Sequence, residues 1–277
     1  MKKSTLAKVL LAVAVTAGTA MQAQAHRVWI LPSSTVLSGE DPYVTFDAAV
    51  SNTIFFPDFV GLSVGDLQAR GPGGEEVALE NASKGKYRTT FDLQLKREGT
   101  YKVSRASAGL RAFWKDAEGE RHMWPGRGES ADDSEFDTAV PKDAKDLRVF
   151  RGSRRIETFV TAGQPSDEIF APTGVGLELV PVTHPNDLYT GETAQFKLLI
   201  DGEPAKNAEV VLIAGGSRYR DSQGEITAKS DAEGQFSVTW PSAGRYFMEA
   251  KYEDDRAAAP ATGRRGQYSA TFEVLPL

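Results

Sequence analysis

Gln235-Phe-Ser-Val-Thr-Trp-Pro-Ser-Ala-Gly-Arg-Tyr-Phe-Met-Glu-Ala-Lys-Tyr252 is the stretch on which the reading of the fold turns. Its apolar residues come in two short runs rich in aromatic residues, and Pro-Ser-Ala-Gly separates them, which is the pattern of two strands joined by a turn. The same frame occurs earlier in the chain. Phe91, Gly99 and Tyr101 have the spacing of Phe236, Gly244 and Tyr246, and Ser38-Gly39-Glu40 is matched by Thr190-Gly191-Glu192. Each half also opens on an apolar run ending in proline, Trp29-Ile-Leu-Pro32 in one and Leu177-Glu-Leu-Val-Pro181 in the other. The echo predicts two related sandwiches, although general β-sandwich grammar also produces echoes this short.

Further strands are expected at 27–31, 43–50, 62–70, 87–95, 100–106, 110–115 and 148–161 in the first half. In the second half they are expected at 176–180, 194–200, 209–213, 225–229 and 267–274. Many short strands punctuated by Gly, Pro, Asn and Asp predict an all-β chain of two immunoglobulin-like or prealbumin-like β-sandwich domains. Gln164 to Thr173, with Gln-Pro-Ser-Asp-Glu and Ala-Pro-Thr-Gly, interrupts the strand pattern. Domains are therefore expected over 26–172 and 173–277. The segment 116–145, rich in Gly, Pro and acidic residues, reads as a long loop of the first domain.

The first 25 residues read as a cleavable secretory leader. Lys2, Lys3 and Lys8 supply the positive charge, Val9 to Thr16 the apolar core, and Ala23-Gln24-Ala25 the small-x-small cleavage site. Cleavage there makes His26 the first residue and predicts a periplasmic protein. The apolar run is too short to span a bilayer, and no later stretch matches it, so the chain is not expected to cross a membrane. Loss of the three leader lysines takes the net charge from −6 to −9. So acidic a chain is a poor partner for nucleic acid, whose binding rests on basic residues neutralising phosphates. There is no cysteine, which excludes disulfides, thiolate metal sites and lipidation at an N-terminal cysteine.

The three histidines, His26, His122 and His184, all fall outside strand interiors in this reading. A free N-terminal histidine chelates a divalent metal through its α-amino group and ring Nδ1, and two more imidazoles would complete a nitrogen-rich site. Glu178 interrupts an apolar strand, where a carboxylate would ligate the metal or orient an imidazole, or simply face solvent. His122 reads equally as a surface histidine. Met123 and Trp124 beside it, and the acidic group Asp132 to Asp137, are explained as well by packing and by a solvated loop.

Catalytic signatures are absent from the sequence: there is no Gly-x-Ser-x-Gly elbow, His-Glu-x-x-His helix or phosphate-binding glycine loop. Phe55-Phe-Pro-Asp-Phe59 is unusually aromatic for a loop and would either contact a partner or be buried over the end of a sandwich. Arg148, Arg151, Arg154 and Arg155 read as decoration of a strand and its turn.

The opening Ala25-His-Arg-Val-Trp-Ile-Leu-Pro32 resembles the Ala-His-x-x-Trp-Leu-x-Pro start of the periplasmic proteins grouped as domain of unknown function 4198. The resemblance continues through Gly176-Leu-Glu-Leu-Val-Pro181, Pro185, Gly191-Glu192, Gly202-Glu-Pro204, Ala208-Glu-Val210, Ser230-Asp-Ala-Glu-Gly234 and Ala243-Gly-Arg-Tyr246. It covers nearly the whole chain after the leader, and it implies a periplasmic component of cobalt or nickel transport. That implication attaches to His26, whose position lies in the matching motif, only weakly to Glu178 and His184, and not to His122.

The leading expectation is a non-enzymatic protein that binds nickel or cobalt, with copper or zinc as further candidates, and serves a membrane transporter or outer-membrane receptor. A copper histidine-brace redox protein and an interaction module that needs no metal are the competing readings.

Overall fold

The computed structural model describes residues 26–126 and 128–277. The expected leader lies outside them. The first half carries β1 (Arg27–Pro32), β2 (Val36–Leu37), β3 (Tyr43–Ser51), β4 (Val60–Gly61), β5 (Gln68–Arg70), β6 (Glu76–Val77), β7 (Glu80–Lys84), β8 (Thr89–Gln94), β9 (Gly99–Lys115), β10 (Arg121–Trp124) and β11 (Lys145–Ala162). The second half carries β12 (Leu177–Pro181), β13 (Thr193–Ile200), β14 (Glu203–Pro204), β15 (Glu209–Ala214), β16 (Ile226–Lys229), β17 (Gln235–Thr239), β18 (Gly244–Asp254) and β19 (Arg264–Val274). The fold is all-β and built of sandwiches, and among the described residues helical content is confined to short turns.

The echo in the sequence is an echo in register. Pro32 pairs with Phe46 and Phe46 with Phe91, just as Pro181 pairs with Phe196 and Phe196 with Phe236. The two phenylalanine pairs stack, with centroids 5.1 and 5.5 Å apart. Each Gly-x-Tyr builds a tyrosine corner, a tie found in immunoglobulin-like domains in which the phenol reaches back to the backbone just upstream. Tyr101 donates its hydroxyl to the Arg97 carbonyl at 2.9 Å, and Tyr246 donates to the Ser242 carbonyl at 2.8 Å. Glycine opens both corners because Gly99 and Gly244 sit at φ of 127° and 141°, where a side chain would be strained.

Sequence alone gave no sign of how the halves join. A ten-stranded sheet runs through both, in the order β16-β15-β18-β19-β11-β9-β5-β6, with β10 and β2 alongside. Its seam is the parallel pairing of β11 with the last strand, β19, from Arg151↔Arg264 to Thr158↔Thr271. A five-stranded sheet (β1-β3-β8-β7, with β4) covers one face of this shared sheet, and a four-stranded sheet (β12-β13-β14, with β17) covers the other. The first core holds Ile30, Phe46, Phe91, Tyr101 and Val160, and the second holds Phe159, Leu177, Phe196, Trp240 and Phe272.

A third cluster sits between the sandwiches. Trp29, 1% exposed, packs with Ala49, Ile54, Ile213 and Phe247, and its indole N–H donates to Ser51 Oγ at 2.7 Å. Phe55 meets Trp29 edge-on at 5.7 Å, so the aromatic loop turns out to brace the two halves.

The segment expected as a loop over 116–145 contains β10 and a helical turn at Phe136–Ala139, preceded by a capping box on Asp132 and Glu135. Phe136 and Val140 pack there with Leu110, Ala112 and Val149 in a small core of their own. That core supports the far ends of β9 and β11, which run on beyond the main sandwich.

Candidate functional site

The four residues singled out for metal binding occupy separate places. His26 is exposed at the start of β1, its ring 3.9 Å from the Phe59 ring. The next residue is held firmly, since Arg27 donates to Gln223 at 2.6 Å and lies 3.6 Å from Glu225. Beside it is a polar recess of about 270 Å³ walled by Arg27, Asn52, Arg218, Asp221 and Gln223. Phe56 carries the Arg218 guanidinium over its ring at 3.9 Å. Arg220 is spent on the carbonyls of Ala214, Gly215 and Gln223, which fixes the loop after β15.

His122 lies on β10 opposite Trp114, against which its ring stacks at 5.5 Å. Nε2 stands 2.7 Å from Asp116 Oδ2, and this hydrogen bond leads the causes that hold the Asp116 carboxyl below the usual range. His184 is at the opposite end of β9, with Nε2 2.9 Å from Thr100 Oγ1. Thr100 and Trp114 are fourteen residues apart on that strand, a backbone span of roughly 45 Å at the usual strand rise, so the two imidazoles stand at opposite ends of it.

Both ring nitrogens of His184 are occupied, because Nδ1 accepts the Asn186 N–H at 3.1 Å. Thr161 and Asn186 close the network: Thr161 Oγ1 contacts Thr100 Oγ1 at 3.1 Å and donates to Asn186 Oδ1 at 2.9 Å.

Glu178 is buried, and its carboxylate accepts from Thr173 N–H and O–H and from Gly174 N–H, with the Arg155 guanidinium 3.1 Å away. Arg155 also reaches Glu157 at 3.4 Å, and Glu157 accepts the Tyr268 hydroxyl at 2.8 Å. Burial first, then the Glu157 carboxylate, pushes the Tyr268 phenol well above its ordinary value. This network ties the crossover between the halves to β11 and β19.

His26, His122, His184 and Glu178, the candidate metal ligands, are therefore not brought together at one place. Two of the four have their polar atoms engaged in structural networks, and two lie on opposite ends of a long strand. Among the described residues, no three His, Asp or Glu side chains form a metal-holding group. Of the candidate donors, the His26 ring is the one that stands exposed with no hydrogen-bond partner among the described residues.

Residues 23–254 match the family described as Domain of unknown function (DUF4198), and the chain belongs to that family. No curated protein matches. Among solved structures, the D0-D1 domain of intimin is 14% identical, covering 88% of this chain and 96% of that one, with a TM-score of 0.21. A DUF3823 family protein from Bacteroides uniformis is 10% identical, covering 79% of this chain and 93% of that one, with a TM-score of 0.25. Among the described residues, no helix is long and apolar enough to cross a membrane.

Proposed function

We propose that this protein is a periplasmic, non-enzymatic carrier of a transition metal, nickel or cobalt before copper or zinc, and that it presents the metal at His26. The supporting observation is the exposed position of His26 at the start of a strand whose next residue is anchored by Gln223 and Glu225. A chelate of α-amine and Nδ1 fills two coordination positions and leaves the others open, which suits a site that hands its cargo to a transporter or receptor. Both nitrogens bind only when deprotonated, so affinity falls on acidification. A copper brace needs a further imidazole, and His184 and His122 are each engaged elsewhere.

The test is isothermal titration of processed protein, its N-terminus confirmed by mass spectrometry, with Ni, Co, Cu and Zn, beside a version carrying one extra N-terminal alanine. Binding by the first and not the second is expected. Equal binding, or none in either, overturns the proposal and leaves an interaction module built on the fused sandwiches.

A further inference from the structure

The five-stranded sheet covers only part of one face of the shared sheet. On β9, Tyr101 and Val103 lie beneath it, and alternation along the strand carries the same face on to Arg105, Ser107, Arg111 and Phe113. On β11, Ile156 and Val160 lie beneath, and Arg154, Phe150 and Arg148 continue outward. The register sets these side by side, with Phe113 opposite Arg148, Arg111 opposite Phe150, and Met123 of β10 opposite Phe113. Phe113 stacks on Phe150 at 5.8 Å with the rings 9° apart, and the Arg265 guanidinium lies 4.5 Å over Phe150. A Cβ on Gly152 would come 2.9 Å from Arg111 Cγ and 3.4 Å from Phe150, so glycine lets both lie across the sheet.

The face is strongly cationic in a chain whose net charge is −6. Arg105 has Asp66 at 3.0 Å and Arg265 has Glu253 at 3.6 Å. Among the described residues, Arg111, Arg148 and Arg154 have no carboxylate within ion-pair distance. Arg111 reaches the Leu110 carbonyl at 3.5 Å, and Arg154 donates to Gln267 at 3.1 Å. Desolvation first, then the charge of Arg105, holds the Arg154 guanidinium below its ordinary value, with Glu249 opposing the shift and Arg111 adding a smaller share to it. Phe113 and Met123, 40% and 39% exposed, stand among these cations.

We propose that this face docks the protein onto an anionic phospholipid surface, with Arg111, Arg148 and Arg154 on headgroup phosphates and Phe113 and Met123 at the acyl boundary. Guanidinium forks pair well with phosphate oxygens, and exposed apolar side chains among basic ones are the composition that binds such an interface. An acidic peptide and a nucleic acid match the local charge as well as a phospholipid does, but neither offers Phe113 and Met123 an acyl layer to enter. The proposal uses no metal and stands apart from His26.

The test is co-sedimentation of the processed protein with phosphatidylglycerol/phosphatidylethanolamine vesicles and with pure phosphatidylcholine vesicles. Binding to the anionic vesicles alone, lost at high salt, is expected. The triple variant Arg111→Gln, Arg148→Gln, Arg154→Gln should lower partitioning on the order of 100-fold, at about five-fold per cation. Phe113→Ser with Met123→Ser should weaken vesicle binding without altering retention on immobilised poly-glutamate. A charge-matched control, Arg88→Gln, Lys142→Gln, Lys206→Gln, should bind as the parent does, and circular dichroism checks that every variant is folded. No binding to anionic vesicles, equal binding to neutral ones, an equal loss in the control, or retention on poly-glutamate without vesicle binding overturns the proposal.

Discussion

His184 Nε2 stands 2.9 Å from Thr100 Oγ1, and this hydrogen bond ties a loop of the second sandwich to the long strand β9 of the first. Because Nδ1 accepts the Asn186 N–H, the neutral ring is held with its proton on Nε2, and Thr100 is the acceptor. Protonating the ring puts a proton where Asn186 needs a lone pair.

The consequence is a dependence of stability on pH with a definite sign. Burial pushes the His184 pKa below its ordinary value of 6.5, opposed by Asp167, the Ser166 backbone and Asp187. The unfolded chain therefore binds the proton first. The contribution is complete above pH 6.5 and is lost as the pH falls from there toward the depressed folded value. Melting temperatures measured from pH 7.5 down to pH 5 should fall more steeply for the parent than for His184→Gln. Parallel curves would remove the histidine from the account.

Arg155 and Glu178 supply a second prediction. Removing Glu178 leaves a buried guanidinium short of a partner and the Thr173 and Gly174 amides without an acceptor. Glu178→Ala should cost about 3–5 kcal/mol in urea unfolding, in the range for breaking a buried pair. Metal titration of the folded fraction should be unchanged, whereas a loss of metal affinity with little loss of stability would return Glu178 to the role of ligand.

Much of this architecture was legible in the sequence because the two sandwiches repeat a local grammar. The Gly-x-Tyr spacing shared by Gly99/Tyr101 and Gly244/Tyr246 is set by a turn and a hydrogen bond four residues back, both local events. The pairing of β11 with β19 joins residues more than a hundred positions apart, and no spacing encodes it. Glu178 was visible as a charge in an apolar strand, but its partner Arg155 was not, since Arg155 reads as one of several arginines on a strand. The arginine face went unseen for the same reason: Arg148 and Arg154 gain meaning only when the register sets Phe113 and Ser107 opposite them.

The two tyrosine corners should be energetically equivalent if they are one device used twice. Tyr101→Phe and Tyr246→Phe each remove a hydroxyl from a backbone carbonyl while keeping the ring, and each should cost about 1–2 kcal/mol. Tyr101 also accepts the Arg97 N–H, and the Tyr246 hydroxyl contacts Ser242 Oγ, so each loss strands a second polar group. Denaturant titration of the two single variants checks this. A cost confined to one of them would mean that only that corner bears on stability.

Trp29 tests whether the two sandwiches unfold as one body. Its indole fills the space between the halves against Ile213 and Phe247, and Ser51 satisfies its N–H. Trp29→Ala removes apolar contact from both halves at once and should cost about 3–5 kcal/mol, the range for truncating a buried aromatic side chain. The seam between β11 and β19 is a hydrogen-bonded ladder that the substitution leaves in place. If the ladder is sufficient to couple the halves, the variant unfolds in a single transition at lower urea, with fluorescence and far-ultraviolet circular dichroism coincident. If the cluster around Trp29 is what couples them, the two probes separate and an intermediate appears in which one sandwich remains folded.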